Sequence, residues 1–567
     1  MRPQARIAAA LVVLSLAFQA CFITLDAFYS DEGVVLVASA DVAEGRLLYR
    51  DCYVPVTPAV YWLQAFAFKL FGSHFLVSRA LIAGVYAAGV ALVFMIAASC
   101  LPLRRAALAG ALAIPLQLWM WPHAQFFSYN ALATAFCLLA IVLAGSLEAG
   151  PRRLRKACLL GAALGAGLWT KPNLALATGA GVLLYWLAAW LRSVVGRPPP
   201  RPRSLAELLR EGSAVLAGIL ALSAPPLAYL FATGSFVGML ESLSALARIY
   251  GDVPTGLFPA PFPLTGQIEA LRLNPGLVLP GVITTALWEN PSVQYLLDHT
   301  GWIDLWVRLI YYAPVALLLA LALAFAVRWL RRSWTRDDEA ALLTFCAGSF
   351  LYLTILPHPA MHYMVPTLLP LLPLAVYLEW RAQQALRPTL RTGLRIAGIA
   401  LLALYAGASL TALGLYLSVP RAPVPSSAGT LWLHRSTAQV WNELFDYVRA
   451  EIPDGEPVFA YPYFPLLYFL TPHPHATRFV DLRPGSPGPD AEDEIIEAVE
   501  REQVKFVFYF VGTQYPGIEP WAEAYPRLQR YFESHFERIH EIRGAFGTYA
   551  EVRRRKVPER EQRVQGD

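Results

Sequence analysis

Apolar residues fall in blocks whose length matches the thickness of a bilayer. A transmembrane helix needs about 20 mostly apolar residues. Stretches of that kind centre on residues 7–26, 76–99, 107–121, 126–147, 157–170, 174–191, 212–233, 305–328, 339–357, 359–379 and 396–418. The pattern predicts about eleven spans, of which 107–121 and 157–170 are the shortest. The first block follows Arg2 and Arg6, as the core of a signal peptide would. It lacks a small-x-small cleavage site and opens a whole bundle, so it reads as a retained helix.

The pattern changes after residue 418. Residues 419–567 are far less apolar. Two short β-branched and aromatic runs, 458–461 and 504–511, read as buried strands. Residues 491–502 read as an acidic helix, 520–535 as an amphipathic one and 547–553 as a last strand. The expected architecture is a polytopic helical module, 1–418, followed by a soluble α/β domain, 419–567. The Pro-rich stretch 420–425 reads as the linker. Within the module, the two long connections 27–75 and 234–304 interrupt the apolar pattern, and the second is expected to hold interfacial helices.

Composition supports a membrane protein. Of 567 residues, 56% are hydrophobic and 15% charged, and the mean hydropathy is +0.44. A soluble chain would carry roughly 25% charged residues. This excludes an ordinary cytosolic enzyme, a disordered chain and a nucleic-acid binder working by bulk charge. Six cysteines with no CxxC pair suggest neither a disulfide framework nor zinc. Basic residues cluster in every second connection, at 104–105, 152–156, 192–210, 328–336 and 381–395. Positive loops stay cytoplasmic. The N-terminus is therefore expected inside and the long connections and residues 419–567 outside, in an integral plasma (inner) membrane protein.

The candidate chemistry sits on the outer side. The first outer connection begins with adjacent carboxylates, Asp31 and Glu32, and continues through Arg46, Tyr49, Arg50, Asp51 and a Pro-punctuated aromatic stretch that includes Tyr61. A carboxylate beside a bilayer is costly unless solvated or paired, which makes it a functional candidate. Asp31 reads equally as a helix N-cap, a role Ser30 would also fill. Lys171 is the clear basic residue on a short outer turn; it reads either as a phosphate ligand or as a snorkelling anchor.

The order of these motifs resembles the GT-C superfamily of integral membrane glycosyltransferases, above all the protein O-mannosyltransferases and the lipid A aminoarabinose transferases. Asp31-Glu32 follows the first helix. The segment LLYRD, then PVTPAVYWLQAFAFKLFG, is similar to the family's aromatic segment, with Arg79 opening the next span. Thr170-Lys171-Pro172 resembles its TKP turn, and His362-Tyr363 with Pro366 and Pro370 its late HY helix. YFPLLYFLTP lies in the outer domain. The lysine that aminoarabinose transferases carry in the first loop has no counterpart near Val56-Thr57-Pro58.

The resemblance implies an inverting transfer of a sugar from a polyprenyl phosphate to an extracytoplasmic acceptor: glycan, lipid or protein. Asp31 is then the general base, and Glu32 its alternate or a sugar-hydroxyl binder. Lys171, then Arg79, then Arg46, Arg50 and Arg248 are the phosphate cations; Arg79 reads otherwise as a partner of Asp51. Tyr49, Asp51, Tyr61, His123, His358, His362 and Tyr363 are expected to bind substrate. His358 and His362 share a helix face, but two histidines without a carboxylate make a weak metal signal, so no cofactor or metal is implied. His473 and His475 read as surface residues. A flippase of lipid-linked saccharides is the alternative. It would need internal repeats and mid-membrane charge, and the sequence carries neither.

Overall fold

The computed structural model describes residues 3–27, 31–120, 125–147, 152–194, 204–252, 301–357, 359–482, 487–488, 491–510, 524–544 and 547–556, and short pieces between 258 and 279. Among them, six helices are long and apolar enough to cross a membrane: Pro3–Ala20, Phe75–Cys100, Pro172–Val194, Leu205–Ala232, Ile303–Leu330 and Pro388–Ser418. Met361–Leu368 and Leu371–Ala385 make a seventh if taken as one span bent by 51°. The bend falls at Leu369-Pro370, where proline removes a helical donor.

Each of the predicted apolar stretches overlaps a helix, but the count by length and composition among the described residues is six or seven. Leu103–Leu116 has 14 residues before a short 3-10 turn, and Tyr129–Gly145 has 17. Arg153–Thr170 and Arg336–Leu353 each have 18 residues, but open on charged turns.

The chain divides into two compact units. The first comprises residues 1–22, 80–229 and 254–418. Its helices pack through small residues. A Cβ on Gly161 would lie 1.9 Å from the Val215 carbonyl oxygen, and one on Gly218 2.0 Å from that of Cys158. Helices 153–170 and 205–232 therefore meet backbone to backbone, which apolar solvent favours over bulky side-chain contacts. Charged helix ends are neutralised locally. Buried Asp338 accepts from Arg328 at 2.7 Å and Arg381 at 3.0 Å, and Arg192 pairs with Glu339 at 2.7 Å.

The second unit comprises residues 23–79, 230–253 and 419–567. Strands β1 (Arg421–Ser426) and β2 (Gly429–His434) form an antiparallel hairpin. Strands β3 (Val458–Tyr461), β4 (Phe506–Phe510), β5 (Phe536–Gly544) and β6 (Gly547–Arg555) form a sheet of order β3-β4-β6-β5. Only β3 and β4 run parallel. The strands expected at 458–461, 504–511 and 547–553 are thus present, as is the acidic helix, Ala491–Arg501. Trp441, Phe464, Leu467 and Phe508 share a core with Leu36, Phe68 and Phe75, so the first long connection is built into the same core as the C-terminal segment.

The expected linker is instead strand β1. Trp432 uses its backbone N–H and carbonyl on Thr24 and Asp26, at 2.9 and 2.8 Å. Its pairing with Pro423 is therefore the non-hydrogen-bonded kind, and Pro423 and Pro425 occupy positions where the ladder needs no N–H. Alternating prolines fit one edge of a hairpin.

Candidate functional site

The helix Asp31–Ala43 opens on the two carboxylates, where negative charge suits the helix dipole. An apolar run, Val34–Ala38, buries its body. Gly33 faces residues 465–466 so closely that a Cβ there would lie 2.7 Å from the Leu466 amide nitrogen. The helix ends at a turn in which Gly45 takes a φ of 102°.

The two carboxylates face different surroundings. Glu32 is 1% exposed and meets Arg79, which is 2% exposed. Arg79 donates from Nε and Nη2 to the two Glu32 oxygens, at 3.0 and 3.2 Å. Its other contacts are the carbonyls of Ile23, Leu25 and Asp26, at 3.0, 3.1 and 2.7 Å. A guanidinium has five N–H groups, and these contacts engage all of them. The fold consumes Arg79, leaving no N–H for the expected phosphate contact. The alternative pairing with Asp51 is also corrected, because Arg79 pairs with Glu32. Asp31 is half-buried, and the Tyr463 hydroxyl lies 3.5 Å from its Oδ1. Ser30, the other candidate cap, lies outside the described residues.

The expected substrate residues of the first connection form a tight turn. Tyr49 is buried with a φ of 67°, and its hydroxyl donates to the Val56 carbonyl at 2.7 Å. Burial pushes its phenol well above the ordinary range, so it stays a donor. Asp51 accepts from the Leu47 amide at 2.9 Å and from Arg50 at 2.8 Å. The Arg50 hydrogen bond is the main force holding its carboxyl below the usual range. Arg50 is exposed, and Tyr61 is buried. A Cβ on Gly238 would lie 2.6 Å from the Tyr49 carbonyl oxygen, so the helix Phe236–Asp252 passes directly against this turn.

Sequence reasoning missed one buried cluster in this unit. His473 and His475 are 2% and 9% exposed, not surface residues. His475 Nε2 lies 2.8 Å from Asp41 Oδ2 and 3.1 Å from Arg46 Nη1. Arg46 Nη1 is 3.5 Å from Asp41, and the Cys52 thiol 3.4 Å from it. Burial first, then Asp41, pushes that thiol far above its usual pKa. The one available signal was Asp41, a carboxylate that follows the apolar run Val34–Ala38 on the same helix.

In the other unit, Lys171 follows the helix Arg153–Thr170 and precedes Pro172–Val194. Its ammonium donates to Asn130 Oδ1 and lies 4.2 Å from the Tyr363 ring centre and 5.3 Å from that of Tyr129. The Tyr363 ring packs against that of His362 in a tilted arrangement, 4.2 Å between ring centres. His123 and His358 lie outside the described residues. Among the described residues no His, Cys, Asp and Glu set is arranged to hold a metal ion.

Residues 55–198 match the family model described as dolichyl-phosphate-mannose-protein mannosyltransferase. Arg79, Tyr61 and Lys171 fall inside that segment; Asp31 and Glu32 precede it. ArnT from Cupriavidus metallidurans, in the apo state, is similar over 96% of this chain and 97% of its own, with a TM-score of 0.51 and 13% identity. The Archaeoglobus fulgidus oligosaccharyltransferase in the apo form is similar over 96% of this chain and 74% of its own, with a TM-score of 0.50 and 13% identity. No curated protein matches the chain. The chain shares its fold with these two structures, and the resemblance carried by the order of the motifs is borne out.

Proposed function

We propose that the chain is an inverting glycosyltransferase that takes a sugar from a polyprenyl-phosphate donor and passes it to an acceptor hydroxyl outside the cytoplasm. The dolichyl-phosphate-mannose description of the matched family model supports the lipid donor class. The carrying observation is the contrast between neighbours: Glu32 is buried in an ion pair with Arg79, whereas Asp31, the first residue of the helix, is half-buried beside the Tyr463 hydroxyl. Asp31 takes the acceptor proton as the hydroxyl oxygen attacks the anomeric carbon. The bond from that carbon to the phosphate oxygen breaks, and the lipid phosphate leaves with the electron pair. A single displacement of this kind needs one base and no protein nucleophile.

Lys171 is our first candidate for the phosphate. Asn130 and the tyrosine faces are neutral partners for its ammonium, and a compact point charge suits one phosphate. Arg46 and Arg50 are the next cations, and Arg79 serves to fix Glu32. Asp51, His362 and Tyr363 remain substrate-side candidates, whereas Tyr49 is buried with its hydroxyl committed to Val56 and serves to shape the turn. The topology goes with this reading: about eleven spans, basic loops in the cytoplasm, and residues 419–567 outside. A flippase gains no support from a fold shared with transferases.

The test is Asp31→Asn. Losing a positioned base costs about 10² to 10⁴ in rate. Turnover falls by that factor while the lipid donor still binds, because the amide keeps the shape and removes only the charge. Turnover at the wild-type rate would end the assignment.

A further inference from the structure

The buried cluster around His475 links two sequence-distant pieces of one unit. His475 Nδ1 lies 2.5 Å from the Thr477 carbonyl, which only accepts, so Nδ1 carries a proton. Nε2 therefore faces Asp41 as a donor when the ring is doubly protonated, and faces Arg46 as an acceptor when it is not. Nε2 lies within reach of both members of the Asp41–Arg46 pair where the 31–43 helix gives way to the turn. The residues around it tie down the rest of that turn. The Arg478 carbonyl accepts from the Tyr53 amide at 2.9 Å. Arg478 Nη1 donates to the Tyr49 carbonyl at 3.3 Å. The Tyr53 and Phe479 rings are 5.3 Å apart. Segment 475–479 thus clamps residues 41–53 at their start, middle and end.

We infer that His475 is a positioning residue: through Asp41 and Arg46 it sets the turn that presents Arg50 and Asp51 to substrate. The clamp itself follows from these contacts, and only its effect on turnover rests on the transferase reading. Cys52 reports on the clamp without any assay of activity. Its thiol is buried against Asp41 and reacts only when the turn opens.

The experiment compares His475→Ala and His475→Gln in the full-length protein. Maleimide labelling of Cys52 is read by peptide mass, and sugar transfer is measured alongside. Glutamine carries an amide where Nε2 stood and so keeps a donor for Asp41. In His475→Ala, labelling of Cys52 rises about tenfold and kcat falls about tenfold, the scale of one lost charge-assisted hydrogen bond. In His475→Gln both stay within about threefold of wild type. Equal protection of Cys52 in wild type and His475→Ala would overturn the inference. So would a glutamine variant no better than alanine by both readouts, since general loss of packing would then explain the change. Asp31→Asn, run in parallel, separates the two ideas. If it keeps full turnover the transferase reading fails, while the Cys52 labelling rate still decides the clamp. If His475→Ala does not accumulate, Asp41→Asn takes its place under the same criteria.

Discussion

Arg79 and Lys171 are the two cations that sequence reasoning ranks first for a phosphate, and their surroundings differ in kind. Arg79 is enclosed by one carboxylate and three carbonyls, and all its N–H groups are engaged. Lys171 meets an amide oxygen and two aromatic faces. A rigid guanidinium fork suits a fixed set of acceptors, while an ammonium on a flexible stem re-aims readily. The donor count closes for Arg79, which the fold fully engages; the proposed phosphate contact is therefore assigned to Lys171. Both residues lie within the segment 55–198 matched by the family model, so that match alone does not make the distinction.

Arg79→Ala gives the largest effect on the fold. It leaves Glu32 as a buried carboxylate without its guanidinium, and breaking such a pair costs about 3–5 kcal/mol. Folded yield and thermal midpoint in detergent fall sharply. Glu32→Gln acts in the same direction and more weakly, because the amide still accepts one hydrogen bond. If Glu32→Gln abolishes turnover without changing the thermal midpoint, the ion pair is not its main role and the contrast with Asp31 collapses.

Lys171→Ala comes next and acts on a different quantity. Loss of a charge-assisted hydrogen bond to phosphate costs about 1.5–3 kcal/mol, or roughly 10- to 150-fold in apparent affinity for the lipid donor. The thermal midpoint and the apparent affinity for the acceptor change little. Unchanged donor affinity would make Lys171 an interfacial anchor, and the comparison with Arg79 would lose its functional half.

The sequence made much of this legible, for identifiable reasons. Long apolar runs and short aromatic strands announce themselves through length and period, so the helices and β3, β4 and β6 are found where expected. Asp31-Glu32 is legible as a pair because two carboxylates after an apolar helix are conspicuous. Which of them meets Arg79, 47 residues away from Glu32, is a contact that spacing does not encode. The proline rule fails at 420–425 because β1 uses the ladder positions that need no N–H. The same kind of error hides His475. A histidine just after a proline in a Pro-rich segment looks like a surface loop, yet its two ring nitrogens are taken by Thr477 and by Asp41 and Arg46.

The smallest effect concerns the aromatic face beside Lys171. A cation 4.2 Å from the centre of a tyrosine ring interacts with the ring's quadrupole, worth about 0.5–2 kcal/mol depending on desolvation. Tyr363→Phe keeps the face and Tyr363→Leu removes it. The ring orients the ammonium without carrying charge, so Tyr363→Leu weakens donor binding by roughly 2- to 30-fold, less than Lys171→Ala does. Tyr363→Phe stays close to wild type if the face is what matters. In a Lys171→Ala background the difference between Phe and Leu disappears, because the cation the ring served is gone. Titrating the lipid donor against the four variants measures this coupling. If Tyr363→Leu weakens binding as much with alanine at 171 as with lysine, the ring contacts the donor itself. Lys171 and Tyr363 are then separate contacts and not one site.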